Sequence, residues 1–350
     1  MDLARLHRQI DTIIGDHGGE NLPDATKFEA GRGAALGWHQ WLGGARGSRA
    51  DNWMIRCPSS AGKPTVESVN VFGQRRRCVH CASMRARVAP SHFTNKGAAM
   101  DLGLSDKVVL VTGAGSGIGR QIALDMVAEG AARVVVADLN EAGAAQTVAQ
   151  ADEQGRGVAT AVRLDVTSFE NANSVVSGIQ AEHGRLDVLV NCAGAWRVNL
   201  FTDSKPEDWA FEINVCLMGV INCTRAALDP MIAQGGGKIV NISSDAGRIG
   251  EFRQAVYSGA KAGVIGFSKA VAREVGKSGV HINCVCPGYT KTPGTAGLTE
   301  ELEARIAKSY PLRKIGVPSD VSRVVVFLAS DGASHITGQT LSVSGGYVMV

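Results

Sequence analysis

The spacing of apolar and polar positions divides the chain in two. From about Asp106 onward, short runs rich in Val, Ile and Leu recur: KVVLVTG, ARVVVAD, ATAVRLDV, LDVLVNCAG, GGKIVNISS, VHINCVCPG and QTLSVSGG. Most are apolar without alternation and close on Gly, Asp, Asn or Ser, the pattern of short strands buried on both faces. Between them lie amphipathic stretches of helical period, such as GRQIALDMVAEG and AVYSGAKAGVIGFSKAVAREVG. Strand and helix alternating in this way predict an α/β domain: a doubly wound parallel sheet of about seven strands with helices on both faces. Ligands of such sheets bind beyond the carboxyl ends of the strands.

Residues 1–99 carry no sustained period. They are rich in Arg and Gly and hold three of the five Trp and five of the eight His. Leu3, Leu6, Ile10 and Ile13 alone outline an amphipathic helix; the rest reads as a low-order extension. Fourteen Lys and Arg against eight Asp and Glu give this part +6, leaving −3 for the remainder of a chain whose net charge is +3. Met100 opens MDLGLSDKVVLVTG, so residues 100–350 read as a single complete domain. The functional protein is then expected either to begin at Met100 or to carry an unusual N-terminal extension.

The small net charge gives no reason to expect a nucleic-acid partner. No apolar run reaches the ~18 residues of a membrane span, and MDLARLHRQIDTIIGD fits neither a secretory signal nor a transit peptide. A cytoplasmic location is expected. Of the eight cysteines, Cys192, Cys216, Cys284 and Cys286 fall inside apolar segments and read as buried, reduced thiols. Cys78 and Cys81 form a CxxC pair, with Cys57, His80 and His92 near in sequence. That is half of a tetrahedral zinc site without a recognisable second half, and no metal is assigned.

Two stretches carry chemistry. TGAGSGIGR follows the first strand and opens a helix; Gly113, Gly117 and Gly119 would let backbone N–H groups approach a pyrophosphate at the helix N-terminus. Asp138, nineteen residues after Gly119, ends the second strand, where a carboxylate can accept from ribose hydroxyls and repel a 2′-phosphate. This favours NAD over NADP. Farther on, AVYSGAK sets Tyr257 four residues ahead of Lys261. Residues so spaced share a helix face, and an ammonium there favours the phenolate. A surface tyrosine beside a solvated lysine would have the same spacing.

The glycine pattern is GxxxGxG, and together with YSGAK it resembles the short-chain dehydrogenase/reductase family, classical type, over residues 106–350. NCAG at 191–194 resembles the family's NNAG, with Cys192 in place of the second Asn; INVCLMG, NISSDAG and PGYTKTP fall at the family's positions. The resemblance implies a Rossmann-type NAD-binding fold and an oxidoreductase that interconverts a secondary alcohol and a ketone. It implies Tyr257 as general acid or base and Lys261 as its activator and nicotinamide-ribose ligand. Ser244, thirteen residues before Tyr257, would stabilise the substrate oxygen, although Ser243 is adjacent; Asn214 would hold a water that links the lysine to solvent, or only satisfy its helix. Implied cofactor contacts are Gly113, Ser116, Gly117, Ile118, Gly119, Asp138, Leu139, Asp165, Val166, Asn191, Ala193, Gly194, Pro287, Gly288, Thr290 and Thr292. Asp165 reads equally well as a turn residue, and Asn191 as a sheet residue.

His281 and Ser344 depart from the family's usual Arg and Asp, which bears on strand pairing or subunit contacts near the carboxyl terminus. GTAGLTEELEARIAKSY reads as a helical lid with Leu298 and Leu302 on one side. SSDAGRIGEFRQAVY resembles family members acting on alicyclic 2-hydroxyacyl-CoA thioesters; Arg248 and Arg253 would meet the carrier's anionic groups or simply be solvated. The family resemblance also implies a homotetramer built on helices near 207–232 and 256–277. The rival reading is a dinucleotide-binding sensor with a basic interaction arm.

Overall fold

The computed structural model describes residues 101–297 and 299–350. The apolar runs form seven strands: β1 Val108–Thr112, β2 Arg133–Asp138, β3 Ala159–Arg163, β4 Val188–Asn191, β5 Gly237–Ile242, β6 Val280–Pro287 and β7 Thr340–Val343. All pair in parallel, in the order β3-β2-β1-β4-β5-β6-β7. The order reverses between β1 and β4, which puts the crevice for a ligand at the carboxyl ends of those two strands.

Alternate residues of each strand face opposite layers. Val109, Val111, Val134, Val136, Val188 and Val190 pack with helices α1 (Gly117–Ala128), α2 (Glu141–Asp152) and, from later in the chain, Pro318–Ala329. Leu110, Val135, Leu189, Ile239 and Ile282 face α3 (Phe169–His183) and the helices at Gly219–Ala233 and Ala255–Val275. Both faces are therefore covered, and strands without alternation follow. Asn140 and Ser168 cap α2 and α3 by accepting from Gly143 N and Asn171 N at 3.1 Å each.

Helix α4 (Pro206–Ile213) continues through a π turn, Asn214–Met218, into α5 (Gly219–Ala233). This 28-residue stretch is long and apolar enough, by length and composition, to cross a membrane. Here Val220, Cys223, Ala226, Ala227 and Met231 are instead buried against the domain. After β5 come the single turn α6 (Ala246–Ile249) and the long α7 (Ala255–Val275); after β6 come α8 (Glu300–Ser309) and α9 (Pro318–Ala329). The expected helices near 207–232 and 256–277 thus lie at 206–233 and 255–275.

The polar residues that end the central strands form a buried row. Thr112 stands beside Asn191, and Asn191 beside Asn241. The Asn191 amide donates to Thr224 Oγ1 at 3.1 Å and to Asn241 Oδ1 at 2.8 Å, and Asn241 donates to Ser268 Oγ at 2.8 Å. Thr112 Oγ1 accepts from the N–H groups of Cys192 and Ala193. These bonds tie the loop after β4 to the sheet.

Candidate active site

A cleft of about 1340 Å³ opens above the strand ends. It exceeds the ~300–1,000 Å³ of a single small-ligand pocket, so it has room for a dinucleotide and a second molecule. Its floor on one side is the glycine turn. Gly113 (φ +66°) and Gly117 (φ +55°) take the left-handed conformation that other residues disfavour. A Cβ on Gly113 would fall 2.7 Å from Ala193 Cα, and one on Gly119 would strike the Gly113 carbonyl. Ser116, the N-cap of α1, makes no side-chain cap bond, which leaves first-turn N–H groups for an anion.

Asp138 Oδ2 accepts from Gly115 N at 2.7 Å, and Oδ1 from Asn140 N at 2.8 Å. The carboxylate thereby holds the glycine turn while facing the cleft. Arg120 braces the turn from beneath, donating to the Gly115 carbonyl, Thr147 Oγ1 and Gln146 Oε1. Ser116, Ile118, Leu139, Asp165, Val166, Ala193, Gly194, Pro287, Gly288, Thr290 and Thr292 all line the same cleft. Asp165 also fills the ordinary turn role: it accepts from the Thr167 N–H and hydroxyl, and these bonds hold its carboxyl below the usual range. Asn191 does not line the cleft; its amide is occupied in the buried polar row, so its part is to fix the sheet.

Helix α7 carries Tyr257 and Lys261. Ser258, Lys261, Val264, Ser268, Val271 and Val275 make its buried stripe, which places a lysine where the period calls for an apolar residue. The Lys261 ammonium donates to the Ile242 carbonyl at 2.8 Å and lies 5.8 Å from the centre of the Tyr257 ring. Burial opposes its charge, but its neighbours, first Cys216 and then Tyr257, outweigh burial and raise its pKa. Tyr257 is shifted up as well: burial raises the phenol, while Lys261 and then Ser244 act in the opposite direction. The expectation from spacing, a phenol moved toward neutrality, is thus only half met. The cation pulls as predicted, and desolvation wins.

Ser244 lines the cleft half-buried, with its Oγ accepting from Ala246 N at 3.1 Å. Ser243 is buried, and its hydroxyl donates to the Lys261 carbonyl at 2.8 Å. Its geometry gives Ser243 a bracing part and leaves Ser244 toward the open cleft. Asn214 begins the π turn, its carbonyl accepting from Gly219 N, and its exposed side chain faces the cleft. The extra residue of a π turn commonly marks a functional position.

Several wall residues had no signal in the sequence. Trp196 packs with its ring centre 6.4 Å from that of Tyr257 and against Gly294. Tyr310 stacks on Tyr347 at 5.0 Å, and Tyr347 donates to Glu251 Oε2 at 3.3 Å. Where the sequence predicted a helical lid, α8 brings Leu302, Arg305 and Ile306 to the cleft. Leu298 lies outside the described residues, as do Cys57, Cys78, His80, Cys81 and His92. Arg248 and Arg253 do not line the main cleft: Arg248 donates to Ser342 Oγ at 2.6 Å, and Arg253 toward the Val198 carbonyl at 3.4 Å. His281 Nδ1 meets the Ile336 carbonyl at 3.1 Å, and Ser344 Oγ accepts from Val348 N at 3.4 Å, so both departures are absorbed in local packing. Cys216, Cys223, Cys284 and Cys286 are buried free thiols, whereas Cys192 is only half-buried at the cleft. Among the described residues, no group of three or more His, Cys, Asp or Glu is placed to hold a metal.

A family model described as enoyl-(acyl carrier protein) reductase matches residues 113–348. With the doubly wound sheet and the site above, this defines the class: the chain belongs to the short-chain dehydrogenase/reductase family, whose members are oxidoreductases that bind a nicotinamide dinucleotide. Among particular relatives, the chain is similar to 3-oxoacyl-(acyl-carrier-protein) reductase FabG of Vibrio harveyi, 40% identical over 249 residues, 71% of this chain and all of that protein. It is 40% identical to the (3R)-3-hydroxyacyl-CoA dehydrogenase of Rattus norvegicus over 259 residues, 72% of this chain and all of that protein. A solved structure described as a short-chain alcohol dehydrogenase from Sinorhizobium meliloti 1021 superposes with a TM-score of 0.67 at 35% identity, covering 71% of this chain and 98% of that one.

Proposed function

We propose that the protein is an NAD(H)-dependent oxidoreductase that interconverts a secondary alcohol and a ketone on an acyl thioester. The observation that carries this is the half-buried Tyr257 and the buried Lys261 on one face of α7, lining the same cleft as Ser244 and the glycine cradle. The Gly113 and Gly119 positions, where a Cβ would strike backbone, fit a dinucleotide held close to the main chain. When bound there, the nicotinamide supplies or receives the hydride.

The chain's own residues do the rest. Tyr257 gives its phenolic proton to the carbonyl oxygen in reduction, or takes the hydroxyl proton in oxidation. Ser244 hydrogen-bonds the same oxygen as charge develops. Lys261 lowers the cost of the phenolate and is in place to hold a ribose hydroxyl, and Asn214 at the cleft wall would pass protons through water toward solvent. The lid residues Leu302 and Ile306 exclude water from the reacting carbon.

Asp138 supports NAD rather than NADP. It presents a carboxylate where a 2′-phosphate would sit, and Lys261 and Arg305 are the only Lys or Arg lining the described cleft. Asp138→Ala is expected to raise the preference for NADP over NAD about tenfold or more, since it removes a like-charge repulsion. Unchanged cofactor preference, read by initial rates with each dinucleotide, would count against the assignment. The thioester substrate follows the activities for which the relatives are named; a cyclic 2-hydroxyacyl-CoA, a 3-hydroxyacyl-CoA and a free secondary alcohol, compared by NADH absorbance, test it. Equal rates on all three would remove the carrier from the proposal. The free buried thiols fit a reducing, cytoplasmic setting.

A further inference from the structure

Asp245 directly follows Ser244, lines the cleft and is only 2% exposed. One carboxylate oxygen, Oδ1, accepts from the Ser342 hydroxyl, which in turn accepts from Arg248 at 2.6 Å. The other, Oδ2, is buried with no hydrogen-bond partner among the described residues. An unpartnered buried carboxylate oxygen is costly, and a position serving only packing would favour an apolar side chain. Its backbone is also held: Asp245 N donates to the Pro287 carbonyl at 3.1 Å, while Arg248 N and Ile249 N donate to its carbonyl. A ring of bonds thus runs from Asp245 through Ser342 at the end of β7 to Arg248 and back along α6.

We propose that Asp245 is a positioning residue for Ser244, clamping the serine turn between the Pro287 strand end and the end of β7 through Ser342 and Arg248. This rests on the reading of Ser244 as the group that meets the substrate oxygen. Two neighbouring bonds fix the same turn from the other side: Ser243 Oγ to the Lys261 carbonyl, and Ser243 N to the Val285 carbonyl at 2.8 Å. The backbone bonds of residues 244–249 already hold the turn's shape, and the Asp245 side chain adds the tie that fixes the turn against β7. A loss of that restraint displaces the Ser244 hydroxyl without touching the dinucleotide cradle.

The test is a set of mutant cycles on the full chain, reading turnover of a ketone by NADH oxidation and NADH affinity by fluorescence. Asp245→Asn and Asp245→Ala are each expected to lower kcat about 10- to 100-fold, as small displacements of catalytic groups do, with NADH affinity held within about twofold. Ser342→Ala, which releases the clamp from its far end, should lower kcat in the same direction and add nothing to Asp245→Ala. The discriminating readout is the Ser244→Ala background, where Asp245→Asn should have no further effect on kcat, because its action passes through the serine. A full additional loss in that background, or undiminished kcat in both Asp245→Asn and Ser342→Ala, overturns the proposal. Should Ser244→Ala itself leave turnover unchanged, the underlying reading of the serine fails instead.

Discussion

At the scale of single residues, the site rests on a lysine buried where the helix period asks for an apolar side chain. The pairing of Tyr257 with Lys261 was legible from spacing, because i and i+4 share a face whatever the fold. The balance of burial against charge was not legible, because the packing around the ring, Trp196 included, and the electrostatic influence of Cys216 and Cys192 come from other elements. The direction of the shift has a consequence for pH. Oxidation needs the phenolate, and burial raises the phenol, so alcohol oxidation should climb through the alkaline range while ketone reduction, using the protonated phenol, stays flat from neutral pH up to the raised pKa and falls above it. Lysine 261 opposes that rise; Lys261→Met should therefore move the oxidation profile further to alkaline pH and reduce kcat. A profile that moved toward acid would contradict the electrostatic role. Asn191 was left open between a cofactor contact and a sheet residue; its amide donates into the buried polar row, a distinction that depends on register.

At the scale of elements, all seven strands and both long helices followed from apolar runs and period; the five inner strands, covered on both faces, leave an unbroken apolar signature, while the edge strands β3 and β7 are more exposed and leave a weaker one. The π turn at Asn214–Met218 had no such mark. It arises where Gly219 must approach Val166, with a Cβ there 2.7 Å from Val166 Cγ2, and that contact comes from the other side of a loop. The glycines make the element-scale argument testable. Gly113→Ala should weaken dinucleotide binding strongly and cost about 1–3 kcal/mol, because it combines a left-handed φ with a collision on the Ala193 backbone. Gly178→Ala, in the interior of α3 with nothing within 4 Å of its notional Cβ, should instead stabilise by about 0.5–1 kcal/mol. Thermal melts with and without NADH separate the two; equal effects would show that the cradle geometry is not what restricts Gly113.

At the scale of the whole molecule, one sheet brings together groups more than 140 residues apart in sequence, from Gly113 to Tyr257. The wall formed by Tyr310, Tyr347 and Glu251 could not be read ahead of the fold, because only the return of the chain after β7 sets Tyr347 against the lid. Phe211, Ile213, Met218 and Ile232, each about 40% exposed on the α4–α5 span, leave apolar surface of the kind that association covers. The family resemblance implies a homotetramer; light scattering should then return four times the chain mass, and a monomer at all concentrations would contradict it. If the Tyr257 phenol moves the proton that accompanies hydride transfer, single-turnover oxidation of bound NADH by a ketone in Tyr257→Phe should show NADH binding within about twofold of the unsubstituted protein and a chemical step slowed by a factor of about 10² or more; a step of undiminished rate in a protein that still binds NADH would contradict this role.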